Sequence, residues 1–209
     1  MTHIILLRHG ETEWNSDGRV QGTLDSRLSP RGVAQSEALA RALAAEPIEV
    51  IYSSDLGRTQ ATVAPLADAL SLPVTLDSRL RERSHGILQG LTWDEIAARY
   101  PEAHRRLNAH DAHYAPPEGE SAVEFRERVM AAMRDIVSVC AGQRVVVMAH
   151  GGVVGMVYRT VRDMPLEAKR DYALFNASIN RFRVVEDRWF VDTWGDVSHL
   201  DGAAALDER

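Results

Sequence analysis

The chain has 209 residues, of which 24 are Lys or Arg and 30 are Asp or Glu, a formal net charge of −6. That balance excludes a global basic field for nucleic acid, so any anion bound here must be held by local Arg and His side chains. With 45% hydrophobic and 26% charged residues, the composition is that of an ordinary globular domain, and the length suits one large domain.

The opening "MTHIILLRHGE" carries only the apolar run Ile4 to Leu7 before Arg8, too short for the core of a signal peptide. Residues 3–7 read instead as a strand too continuously apolar to be half exposed. In "SPRGVAQSEALARALAA" (29–45), Ser29 can cap a helix and Pro30 suits its first turn. Val33, Leu39, Ala40 and Leu43 fall at helical spacing. A second strand is predicted over 48–54, then a helix over 56–70 with a kink at Pro65, then a short strand over 72–77. The segment 92–101 starts with Thr92 and has Glu95 three residues on, the capping-box arrangement. Residues 101–120, with "HYAPPEGES", are the most irregular part and read as an excursion over the sheet edge. The longest predicted helix is 119–140, with Val123, Phe125, Val129, Met130, Met133, Ile136 and Val137 on its apolar side. A fourth strand in 143–152 again ends on a histidine, and 178–196 reads as two strands around a Glu186–Asp187 turn.

Strand and helix alternate, and the strands are near-continuously apolar. This predicts an α/β fold with a mainly parallel sheet covered by helices on both faces. No stretch approaches the ~20 apolar residues of a membrane span. The single cysteine, Cys140, reads as a small buried residue and fits a reducing compartment. The expectation is one domain over 1–209, soluble and cytoplasmic, with no nucleic-acid or membrane partner.

Ligands of open α/β sheets bind outside the carboxyl ends of the strands. Strand one ends in Arg8, His9 and Gly10. Strand two runs into Ser53, Ser54 and Asp55, then Arg58. Strand three is followed by "RLRERSHG" with Arg79, Arg81, Glu82, Arg83 and His85, and strand four ends in His150, Gly151 and Gly152. Two imidazoles and two guanidiniums make a pocket for a dianion, because Arg forks match phosphate oxygens. A neutral imidazole can attack phosphorus, a carboxyl group can protonate the leaving oxygen, and fixed cations can stabilise the transferring phosphoryl group. None of this chemistry needs a metal. His104, His110 and His113 cluster in "HRRLNAHDAHY", but no cysteine or carboxylate set completes a zinc site there. They read as solvated loop residues. The four Trp (Trp14, Trp93, Trp189, Trp194) read as core or strand packing.

"LLRHGETEWN" (6–15) resembles the RHG signature of the histidine phosphatase superfamily, which includes the cofactor-dependent phosphoglycerate mutases. The resemblance continues through "VQGTLDSRLSPRG", "IYSSDLGRTQAT", "LRERSHGILQGLTWDEI", "PPEGES" and "VVVMAHGG" in the family's order. It implies a three-layer α/β/α sandwich. It also implies that His9 is the nucleophile that becomes phosphohistidine, that Arg8, Arg58 and His150 hold the phosphoryl oxygens, and that Glu82 is the proton donor. Glu82 is favoured over Glu11 and Glu95 by its spacing to Gly86 and Gly90. Asn15, Gln21, Gly22 and the Gly151 amide would complete the phosphate pocket. Arg83, with His85, would reach the distal end of a small phosphorylated substrate. Because Glu82 must enter the first step protonated, the rate optimum is expected on the acid side of neutrality, or else to depend on bound phosphate raising the Glu82 pKa.

The same apparatus serves a phosphatase or a mutase. "LRERSHGILQGLT" is close to the mutase pattern, which usually has Tyr where His85 stands. Mutases usually carry "HGNS" where this chain has "HGGVV", and they place a paired Arg shortly before a proline run. Here Arg105 and Arg106 lie well ahead of Pro116 and Pro117. The expectation is therefore a phosphatase of small metabolites that needs no cofactor. The alternative is a mutase with 2,3-bisphosphoglycerate as phosphoryl donor. A ligand-binding protein on an inactive fold is disfavoured by the presence of both His9 and Glu82. Specificity is expected from 83–120, a lid-like excursion, and from the C-terminal tail. Dimers are common in the family, so a homodimer is an open option.

Overall fold

A computed structural model describes residues 1–200. In chain order the elements are β1 (Thr2–Arg8), α1 (Glu13–Ser16), α2 (Pro30–Leu43), β2 (Val50–Ser53), α3 (Gly57–Leu70), β3 (Val74–Leu76), α4 (Trp93–Arg99), α5 (Pro101–Asn108), α6 (Ala122–Val139), β4 (Arg144–Ala149), α7 (Gly151–Val161), β5 (Ile179–Val185) and β6 (Arg188–Asp196). The strands form a six-stranded sheet in the order β3-β2-β4-β1-β5-β6. β1 to β4 run parallel to one another, and β5 and β6 join antiparallel.

The strand period of two sorts β1 between two cores. Ile4 and Leu6 pack under α6 and α7 with Val145 and Val147. Ile5 and Leu7 pack under α2 and α3 with Val146 and Met148. Burying each such side chain contributes roughly 1.5–3 kcal/mol, and all four of these β1 residues are fully buried. The result is the expected three-layer sandwich, with β1 and β4 central and their carboxyl ends in register at Arg8 and Ala149.

Local signals explain the element ends. Ser29 caps α2 by accepting from Gly32 N. Thr92–Glu95 and Ser121–Glu124 form full capping boxes. Glu186 and Asp187 both have positive φ (49° and 63°), as a two-residue hairpin turn that follows the strand twist requires. Cys140 is a buried free thiol at the end of α6, and burial pushes its pKa up. Trp189 and Trp194 pack against the core, whereas Trp93 is 38% exposed.

α3 continues through Pro65 to Leu70, as the helix expected over 56–70. Proline cannot donate to the Ala61 carbonyl. The Ser36 hydroxyl of α2 lies 3.4 Å from that oxygen and 3.0 Å from the Thr62 carbonyl. Val33 does not face the core; it is 48% exposed, because the inward position of the first α2 turn is taken by Gly32. The segment 101–120 is not irregular throughout. Its first half is α5, and Leu88, Ile96 and Ala103 form a small core of their own with Ile87, Leu91, Tyr100, Leu107 and Tyr114 around it. The alternation of small and charged residues in "PEAHRRLN" hid this helix, whose apolar face covers little area. Among the described residues no helix is long and apolar enough to cross a membrane.

Candidate active site

The carboxyl ends of β1, β2 and β4 meet at one edge, and the helices that follow them turn back over it. Gly10 lets the chain leave β1 sharply. A Cβ there would lie 2.7 Å from the Gly32 carbonyl oxygen, and a Cβ on Gly32 would collide with the Glu11 carbonyl. The two glycines press the "RHG" and "SPRG" stretches backbone to backbone. Gly10 N donates to Thr62 Oγ1 at 3.1 Å, which ties the turn to α3.

His9 is fully enclosed at 3% exposure. Arg58 Nε lies 3.3 Å from its Nε2. A guanidinium is always a donor, so Nε2 must be the acceptor and carry the lone pair. Nδ1 therefore bears the proton and donates to the Gly10 carbonyl at 2.7 Å. Burial, and then the charges of Arg58 and Arg8, hold the His9 pKa well below its ordinary value. His9 is thus a neutral imidazole with its Nε2 lone pair facing a cation. Its own carbonyl is held by Asn176 Nδ2 at 3.2 Å and by Ala177 N at 3.1 Å.

Arg58 is 2% exposed and is held by the Gly22 and Leu24 carbonyls at 2.8 and 2.7 Å and by Asp25 at 3.0 Å. Arg8 is also buried, and its Nη1 donates to the Leu174 carbonyl. His150 stands edge-on to His9, ring centroids 5.2 Å apart. Its Nε2 pairs with Ser54 Oγ at 2.9 Å. Its buried Nδ1 has no partner among the described residues. Burial, with Arg58, His9 and Arg8, keeps its pKa well below the usual histidine value.

Glu82 reaches the same place from the loop after β3. Its Oε2 accepts from Gly152 N at 2.8 Å and its Oε1 from Arg83 N at 2.7 Å. The carboxylate therefore sits on the first turn of α7, two residues from His150, where the helix dipole favours an anion. A side chain on Gly152 would collide with it. The other candidate acids are committed elsewhere. Glu11 is buried against Ser29 (2.7 Å) and Arg31 (3.0 Å), and Glu95 is in its capping box with Arg19 beside it.

The remaining predicted residues fall less simply. Asn15 closes the capping box of α1, and its Oδ1 accepts from Thr12 and from Asn176 Nδ2. It touches the group that holds His9. Gln21 is buried with its Oε1 accepting from Ser26. Gly151 begins α7. Arg83 donates to the Tyr114 and Glu120 carbonyls at 3.0 and 2.9 Å, so two of its nitrogens staple the excursion. His85 is half-buried, and desolvation with the Arg83 charge drops its pKa to about 3. Arg105 and Arg106 pair locally with Glu102 and Asp111. His110 and His113 are exposed. Sequence reasoning missed Thr62, Asp25 and Asn176, and it placed Ser54 at the strand end without its pairing to His150. Asp25 and Thr62, like Ser54, stand inside the motif blocks, and that placement was the available signal. Asn176 had none.

The histidine phosphatase superfamily (branch 1) matches residues 4–197. The chain is 37% identical to a metal-independent phosphoserine phosphatase of Arabidopsis thaliana, over 99% of this chain and 86% of that one. It is 38% identical to the probable phosphoglycerate mutase GpmB of an Enterobacter species, over 100% and 99% of the two chains. Among solved structures, a mycobacterial glucosyl-3-phosphoglycerate phosphatase superposes with a TM-score of 0.81 at 34% identity, over 92% and 98% of the chains.

Proposed function

The chain belongs to the histidine phosphatase superfamily, and from that premise we propose that it hydrolyses phosphate monoesters of small metabolites through a phosphohistidine, without a metal. The observation that carries the reading is the state of His9: neutral, with its Nε2 lone pair exposed to a cationic wall and its Nδ1 proton fixed on Gly10.

In the first step His9 Nε2 attacks phosphorus as the bond from phosphorus to the leaving oxygen breaks. Glu82 delivers its proton to that oxygen, and the alcohol departs. Arg8, Arg58 and the Nδ1 side of His150 face the equatorial oxygens, and the start of α7 at Gly151 adds its dipole. In the second step Glu82 takes a proton from water, the water oxygen bonds to phosphorus, the Nε2–phosphorus bond breaks, and inorganic phosphate leaves. Gln21 and Gly22 complete the pocket, Gly22 by holding Arg58. Asn15 acts through Asn176. Arg83 shapes the distal wall.

The mutase remains the second reading, favoured by the 38% identity to the GpmB-named relative. Against it, Arg105 and Arg106, the candidates for a carboxylate clamp, are engaged in local ion pairs on α5 and the turn after it. Metal independence agrees with the name of the Arabidopsis relative.

The test is a trapped intermediate. Incubation with a ³²P-labelled phosphate ester in EDTA should leave acid-labile label on the protein and release inorganic phosphate. His9→Ala should do neither. A wild-type protein that releases no phosphate from a panel of sugar, sugar-acid, amino-acid and nucleotide phosphates would sink the phosphatase. Interconversion of 2- and 3-phosphoglycerate that outpaces hydrolysis would replace it with the mutase.

A further inference from the structure

Glu82 lies on a stretch with little regular structure, between a short 3-10 turn at Ser78–Leu80 and another at Gly86–Leu88. Its carboxylate position therefore depends on what holds the backbone. That support comes from α6. Arg128 Nη1 donates to the Arg79 and Arg81 carbonyls at 2.7 and 3.0 Å, and Nη2 to the Glu82 carbonyl at 3.3 Å. Nη2 and Nε also grip the two carboxylate oxygens of Glu120, at 2.5 and 3.3 Å. All five guanidinium donors thus have acceptors, and the group lies 5.1 Å over the Phe125 ring. Glu120 in turn accepts from Ser84 N at 2.9 Å, and its own N donates to the Ser84 carbonyl at 3.0 Å. One planar cation fixes both sides of Glu82.

We propose that Arg128, with Glu120, is a positioning residue for Glu82, setting the carboxyl group where it meets the leaving oxygen. The inference rests on the reading of Glu82 as the proton donor. Arg128 touches no reacting atom; it acts through the backbone of residues 79–84. A lysine is a poor substitute, because a single ammonium has three donors and no planar fork.

Wild type is compared with Arg128→Met, Arg128→Lys and Glu120→Gln on two readouts. The first is hydrogen exchange at the Gly152 and Arg83 amides, which bond the two Glu82 carboxylate oxygens, against the Leu6 amide of β1 as a control. The second is kcat/KM on 2-glycerophosphate, a poor alkoxide leaving group, and on p-nitrophenyl phosphate, which leaves without help. General acid catalysis contributes roughly 10²–10⁴-fold where the leaving group needs it. Arg128→Met should therefore lose about 100-fold on the alkyl ester and under about tenfold on the aryl ester. Exchange should quicken at Gly152 and Arg83 but not at Leu6. Arg128→Lys should restore part of the alkyl rate, and Glu120→Gln should fall between. Equal losses on both esters, or unchanged protection at Gly152 and Arg83, would overturn the proposal. So would equal acceleration at Leu6, which marks general damage. If wild type cleaves neither ester, the phosphatase reading is decided by the wider panel, and the exchange data still decide whether Arg128 holds Glu82.

Discussion

At the scale of single residues, the site is a contest over protons. The imidazole of His9 is desolvated and faces Arg58 and Arg8, so its neutral form is strongly favoured. ¹⁵N NMR of the histidine side chains should find His9 as the Nδ1–H tautomer, unchanged between pH 8 and pH 5. An imidazolium at pH 6 in the ligand-free protein would contradict the geometry. It follows that His9 does not set an acid limb near pH 6.5. The sequence made Arg8, His9, Arg58 and His150 legible because each stands at or just after a strand end, where side chains converge. It did not show Ser54 as the partner of His150, nor Asn176 as the clamp on the His9 carbonyl. Those roles exist only once β2, β4 and the 174–178 turn are adjacent, and residue spacing holds no record of that.

At the scale of elements, the helix starts do most of the positioning. α2 presses Gly32 onto the turn after β1, α3 delivers Arg58, and α7 carries the two amides that follow His150. Gly32→Ala should be costly, since its Cβ would meet backbone and not a side chain that can swing away. Overpacking of this kind costs about 1–3 kcal/mol. We expect a lowered urea midpoint together with a fall in activity larger than the stability loss explains, because the displaced turn carries His9. A variant as stable and active as wild type would show that the two loops can part. Capping residues made α2 and α4 readable in advance, and periodicity placed the core face of α6. Val33 misled because helical spacing marks a face without saying that a backbone contact has claimed it. α5 was missed because its buried face amounts to Ala103 and a few half-covered neighbours.

At the scale of the whole molecule, the buried histidines couple the site to stability. His9, His150 and His85 all bind protons less readily folded than unfolded. Below about pH 6.5 the unfolded chain takes up protons that the folded chain refuses, so stability falls as pH falls. The slope approaches about 1.4 kcal/mol per pH unit for each such group. The paired carboxylates Asp55, Asp77 and Asp111 act with the same sign, but only near and below about pH 4. Urea unfolding at pH 7.5, 6.5 and 5.5 should therefore show a midpoint that drops mainly over the last interval. Inorganic phosphate or vanadate should restore part of the loss by binding only the folded form. A midpoint flat from 7.5 to 5.5 would contradict this.

The strand order carries one more consequence, for how the protein comes to be active. β1 precedes the other strands of the sheet, yet its two neighbours, β4 and β5, lie far along the chain. Contacts of such long sequence separation close slowly and late. His9 thus has no neighbouring strands to fix it until residues 144–185 are in place. The hand that holds the His9 carbonyl, Asn176 and Ala177, lies later in the chain than β4. A stretch that stops short of Ala177 carries the motif without the contacts that hold the His9 carbonyl.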